Sequence, residues 1–226
     1  MIAATPLAHF WAAVIAVSIL IYVILDGFDL ARTLTISDNG SGLTRDEAKR
    51  RGMMASLAPF WDGNETWLVV IGASLFAAFP AVYAVFLGAF YIPVLLMLVG
   101  LIFRGVAFEF RYRSVQMRRV WDLGFVAGSA LAAFVQGAAV GAMMRGINVV
   151  DRQFAGGSFS WLHPFPILTG FGMMLGYMLL GAGWLILKTD GALRDWAYDR
   201  LAVLAAAVLA VLALAFGVAV TIDVSD

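Results

Sequence analysis

Apolar residues in this chain come in long blocks, separated by short polar and mostly basic segments. A helix needs roughly 20 consecutive, mostly apolar residues to cross a bilayer. Six stretches approach that length: about 7–28, 60–79, 82–103, 122–144, 165–187 and 201–222. The pattern predicts an all-α fold, a polytopic transmembrane helix bundle with six spans in one membrane domain. Pro80 separates the second and third stretches and predicts a tight hairpin between them. Pro93 falls inside the third and predicts a kink, which membrane helices tolerate when neighbours satisfy the freed carbonyl. The sixth stretch, rich in Ala, Val and Leu, reads as a lipid-facing or packing helix.

The polar segments set an orientation. Residues 32–51 carry Arg32, Arg45, Lys49, Arg50 and Arg51. Residues 104–119 carry Arg104, Arg111, Arg113, Arg118 and Arg119, and residues 188–200 carry Lys188, Arg194 and Arg200. If the spans alternate, these thirteen of fifteen basic residues share one side, with only Arg145 and Arg152 opposite. The positive-inside rule makes that side cytoplasmic and places the amino terminus outside. On this reading Arg111, Arg113, Arg118 and Arg119 serve as topology signals. Thr44 followed by Glu47 fits a capping box and predicts a short surface helix in the first cytoplasmic loop. Asn39-Gly40-Ser41 matches a glycosylation acceptor, but on the cytoplasmic side it is discounted.

Composition agrees with a lipid solvent. The chain has 226 residues, of which 62% are hydrophobic and 13% charged, against roughly 25% charged in an ordinary soluble domain. The formal net charge of zero gives no reason to expect a nucleic-acid partner. Without cysteine there are no disulfides, thiolate metal sites or Cys nucleophiles. The first apolar stretch is too long, and too poor in Lys and Arg at its start, to read as a removable signal peptide.

Ionisable groups within the membrane are costly, so each one calls for a reason. Asp26 and Asp29 end the first span, three residues apart and so on one face. Asp62 and Glu65 open the second with the same spacing, and Arg104 and Glu109 lie near the exit of the third. All lie at the expected cytoplasmic end. Grouped carboxylates beside an arginine can hold and pass protons. Against this, acids at a helix start often serve as caps. Trp61, Trp67 and Trp121 fit an interfacial aromatic belt. Asp26, preceded by an unbroken apolar run, is the hardest to explain as a surface group. The two histidines, His9 and His163, fall near the outer boundary. Bis-His haem ligation needs paired histidines within the helices, so this chain is not expected to hold several haems by itself, and no metal site is predicted.

The motifs D-G-F-D at 26–29, W-D-G-N-E-T-W at 61–67 and R-G-V-A-F-E-F-R at 104–111 occur in this order on the first three spans. Together they resemble subunit II of the cytochrome bd quinol oxidase. The likeness continues through F-A-A-F-P-A-V-Y-A at 76–84, W-D at 121–122 and H-P-F at 163–165.

The resemblance implies a heterodimer in a bacterial cytoplasmic (inner) membrane. Subunit I would ligate haem b and haem d and oxidise quinol, and the complex would reduce dioxygen to water with cytoplasmic protons. It implies a supporting subunit here that ligates no haem, delivers protons and offers a place for a structural quinone. The family's aspartates fall on Asp29 and Asp62. Asp26, Glu65 and Glu109 extend the expected proton pathway, and Trp61, Asn64, Trp67 and Arg104 are the expected quinone or structural contacts. Family members have eight spans in two four-helix bundles. Six spans therefore predict a C-terminally short member, one four-helix bundle plus two helices of an incomplete second, the chain being either a fragment or naturally short. The competing readings are a small proton-coupled secondary transporter using the same carboxylates, and a purely structural subunit whose acids fix assembly.

Overall fold

The structure, a computed structural model, describes residues 5–29, 61–113 and 116–221. The basic 32–51 loop, with its expected capping-box helix, lies outside the described residues. Among the described residues six helices follow in order: α1 (Pro6–Asp29), α2 (Trp61–Ala78), α3 (Pro80–Arg113), α4 (Arg118–Arg145), α5 (Pro164–Lys188) and α6 (Ala192–Ala219). Five of them are long and apolar enough to cross a membrane; α2, with 18 residues and a polar first turn, is not among those five. The fold is thus an all-α membrane bundle. Among the described residues the one departure is a two-residue-per-strand hairpin, β1 (Val149–Val150) with β2 (Gln153–Phe154), between α4 and α5. Asp151 and Arg152 turn this hairpin with φ of 50° and 62°, the geometry of a two-residue primed turn.

The expected hairpin at Pro80 forms. Phe79 alone separates α2 from α3, and Phe76 packs edge-on against Tyr83 at the turn. Further along, Leu68 of α2 packs on the cluster that includes Met97 and Leu101 of α3, and Glu65 meets Arg104, so the two helices run antiparallel. The break in α3 falls at Phe90 (φ −116°, ψ 22°), one turn before Pro93. Proline lacks an N–H and its ring crowds the carbonyl four residues back, so strain appears on that side.

Helix packing forms a ring. α1 contacts α2 and α5, α4 lies between α3 and α5, and α6 packs mainly on α5. α5 therefore joins the first bundle by closing against both α1 and α4. Half of the α4 span is buried, against 6% of α6, whose Val203, Leu209 and Phe216 face outward. An apolar helix needs no protein cover when lipid is its solvent. Close approach along α4 depends on glycine. A Cβ on Gly100 would meet the Gly128 carbonyl oxygen at 2.8 Å, and one on Gly170 would meet Phe134 at 2.7 Å. Small residues let membrane helices approach closely, which gains dispersion contacts where the hydrophobic effect offers little.

The expected 188–200 loop is a correction. Only residues 189–191 interrupt the helices, with Gly191 at φ 63°, and α6 already begins at Ala192. Arg194 and Arg200 belong to its first turns, lying over Tyr198 and Trp196. Hydropathy marks where a helix meets lipid, not where it starts.

Candidate functional site

Three helices bring one charged residue each to a common point. α1 ends in D-G-F-D, where Gly27 permits contact with α5: a Cβ there would meet Leu180 at 2.7 Å and Tyr177 at 3.3 Å. That contact holds the last turn of α1 inward, with Asp26 fully buried. The antiparallel α2–α3 pair sets Glu65 opposite Arg104. Arg104 donates from Nε and Nη2 to Glu65 Oε1, at 3.1 and 2.7 Å. Its Nη2 also lies 2.6 Å from Asp26 Oδ1. This second contact lacks hydrogen-bond alignment and acts as a close ion pair, and Asp26 Oδ2 has no hydrogen-bond partner among the described residues. Arg104 is 1% exposed and Glu65 27%, so the group passes from a sealed end at Asp26 to a partly open end at Glu65. Next to it, buried Asn64 donates to the Leu25 carbonyl at 3.2 Å and ties α2 to α1.

The other expected positions divide. Asp62 and Glu109 are exposed and do not join the group; Trp67 is half-buried on α2. The side chains of Asp29 and Trp61 lie outside the described residues. Depth along the helix was legible, but not the rotation of α2, which turns Glu65 and not Asp62 toward Arg104. Trp121 packs on Phe110 at 5.4 Å between ring centres.

Two buried polar contacts had no place in the sequence-based expectations. Arg111, expected as a topology signal, is 2% exposed and donates from Nε to Asp122 Oδ1 at 2.6 Å, with Asp122 1% exposed. It therefore locks α3 to α4 across their short turn, and only Arg113 and Arg119 of the four named arginines are exposed. The signal was Asp122 at the opening of an apolar helix, eleven residues after an arginine.

The second contact joins α1, α4 and α5. Tyr177 donates to Gln136 Oε1 at 2.6 Å, and Gln136 Nε2 donates to the Tyr22 hydroxyl at 2.9 Å. Both hydroxyls lie in the field of Asp26 and Arg104. An amide isolated within A-A-F-V-Q-G-A-A was the available signal. Gln136→Leu is expected to strand both buried hydroxyls and cost about 1–3 kcal/mol, read as a lower thermal midpoint of the purified protein.

His9 is exposed, with Nδ1 3.1 Å from the Thr5 carbonyl oxygen, and His163 is exposed just before α5.

This architecture defines a class: a polytopic helical membrane protein in which α1, α2 and α3 close around a buried ion group. Within that class, the chain belongs to the cytochrome bd terminal oxidase subunit II family, whose model matches residues 7–224. It is 36% identical to "Probable cytochrome oxidase subunit 2" of Haemophilus influenzae, over 84% of this chain and 51% of that protein. It is 34% identical to "Cytochrome bd-I ubiquinol oxidase subunit 2" of Escherichia coli K12, over 83% of this chain and 50% of that protein. "Cytochrome bd ubiquinol oxidase subunit 2" of Bacillus subtilis is 33% identical, over 90% and 61%. The chain thus spans about half the length of the first two of these relatives.

Proposed function

We propose that this chain serves as the subunit of a quinol:dioxygen oxidoreductase that ligates no haem, assembling with a haem-bearing subunit I in a bacterial cytoplasmic membrane. Haem b, haem d and quinol oxidation belong to the partner. The role of this chain is to brace the complex and to load protons from the cytoplasmic side. A structural quinone near Trp61, Asn64 and Trp67 belongs to the same reading.

The observation that carries the proton role is the Asp26–Arg104–Glu65 group. Two carboxylates share one guanidinium, so the group carries a net charge of −1 when both acids are ionised. Burial disfavours an uncompensated charge, and a proton on one carboxylate removes it. Glu65 is partly open and so is the natural point of entry, with exposed Asp62 and Glu109 collecting protons at the surface. Asp26, with neither oxygen hydrogen-bonded among the described residues, is the buried acceptor. Tyr22, held by Gln136, keeps its own O–H free to donate, because its oxygen is the acceptor in that bond.

The test is oxygen uptake driven by quinol in the complex purified through this chain, with a reduced-minus-oxidised spectrum taken alongside. Asp26→Asn and Glu65→Gln are expected to slow uptake at least tenfold while leaving the haem bands in place. Asp62→Asn, at the surface, is expected to slow it less. Full uptake in Asp26→Asn and Glu65→Gln with intact assembly rules out the proton role. Loss of the haem bands instead of turnover supports a purely structural part for the acids.

A further inference from the structure

At the end of the bundle opposite Arg104 lies a cavity of about 240 Å³, between the α3 break, the end of α4 and the connection to α5. Its walls include Phe90, Arg145, Asn148, Phe154, Ser160 and Trp161. The local sequence explains the space. Pro93 interrupts α3 so that Phe90 departs from helical geometry. Gly146, at φ 93°, turns the chain away from α4. The β1–β2 hairpin then lays Phe154 over Gly88, where an added Cβ would stand 3.1 Å from the Phe154 Cβ.

Three features of the wall point to a ligand. Trp161 is 8% exposed, and its indole N–H has no hydrogen-bond partner among the described residues. A buried donor left unmet costs free energy, so an acceptor is expected there. Arg145 makes no ion pair among the described residues, and no carboxylate lines the cavity. Arg145 also lies on the side that holds few basic residues, so it is not explained as a topology signal. The α4 dipole favours a cation in the last turn, but it accounts for neither the unmet indole nor the Asn148 amide beside it. One cation lines the cavity with three residues that carry neutral donors, Trp161, Asn148 and Ser160, a lining suited to anionic oxygens.

We propose that this cavity binds the phosphate of a membrane phospholipid headgroup. Arg145 supplies the charge-assisted bonds, and Trp161 and Asn148 complete the donor set. The volume is below the roughly 300–1,000 Å³ of sites that enclose a drug-sized ligand, so it admits a headgroup and leaves the acyl chains outside. Val140, Met143 and Met144 provide an exposed apolar surface on α4 for those chains. The site is independent of the proton group, and oxygen uptake is not its readout.

The test compares the complex purified in mild detergent as wild type, Arg145→Gln, Arg145→Lys and Trp161→Phe. Native mass spectrometry counts retained phospholipid. Thermal protection is then titrated with dihexanoyl-phosphatidylglycerol, inorganic phosphate, dioctanoylglycerol and a short-chain ubiquinone. Wild type is expected to retain one phospholipid more than Arg145→Gln, and to need about tenfold less dihexanoyl-phosphatidylglycerol for protection, the effect of losing one charge-assisted contact. Arg145→Lys is expected to stay near wild type. Trp161→Phe keeps the ring and loses only the donor, so it carries the test if Arg145→Gln fails to assemble. Equal retention in wild type and the variants overturns the proposal. Protection by inorganic phosphate alone, or by the ubiquinone in preference to the phospholipid, overturns the lipid assignment.

Discussion

Arg104→Met is expected to be the most damaging single substitution in the first three helices. Arg104 is 1% exposed and touches Asp26 and Glu65 at 2.6 and 2.7 Å. Removing it leaves a fully buried carboxylate without its counter-charge. Breaking a buried pair from one side costs about 3–5 kcal/mol, whereas replacing both partners is often close to neutral. The single variant is therefore expected to accumulate poorly in membranes or to unfold well below wild type. Adding Asp26→Asn to Arg104→Met is expected to recover much of that loss. Arg104→Lys should rescue only in part, since an ammonium lacks the planar fork that reaches two acids from fixed directions. Wild-type accumulation and unfolding in Arg104→Met would show that the group does not hold the helices together.

Gly128→Val is expected to have the next largest effect, for a steric reason. A Cβ on Gly128 overlaps the Gly100 carbonyl oxygen and stands 3.2 Å from the Arg104 nitrogen. The obstacle is backbone, which cannot swing aside as a side chain does. Overpacking of this kind costs about 1–3 kcal/mol or more. It also acts at a distance, because α3 carries Arg104 one turn beyond Gly100: moving α3 off α4 pulls the guanidinium from Asp26. Gly128→Ala should show the same direction with smaller size. Gly72→Ala and Gly217→Ala meet no atom within 4 Å, so they are expected to be neutral or slightly stabilising, since alanine has fewer unfolded conformations. Equal thermal midpoints across all four variants would dismiss the close helix approach.

The glycines illustrate what was legible and what was not. Their number in apolar helices pointed to packing, yet nothing along the chain told Gly128, which lies against backbone, from Gly72, which lies in the open. The same holds for charge. Asp26 stood out because a long apolar run precedes it, and it is buried. Asp62 and Glu65 looked equivalent at three residues apart, but Asp62 is exposed while Glu65 meets Arg104. Arg111 looked like one more cytoplasmic arginine until the α3–α4 turn brought it to Asp122. The Tyr22–Gln136–Tyr177 contact includes a bond between residues 114 positions apart, well beyond the reach of any local pattern.

Hydropathy and the order of motifs were enough for the membrane class, the helical fold, the family and the end of the bundle where the acids gather. Those features follow from transfer free energy and composition, which are properties of single segments. Only the tertiary structure decided that Arg104 lies between Asp26 and Glu65, that Arg111 is a buried lock, and that the α3 break leaves a cavity beside Arg145. Pairing in a low-dielectric interior depends on distances of a few ångströms between different helices, and helix rotation and close approach set those distances.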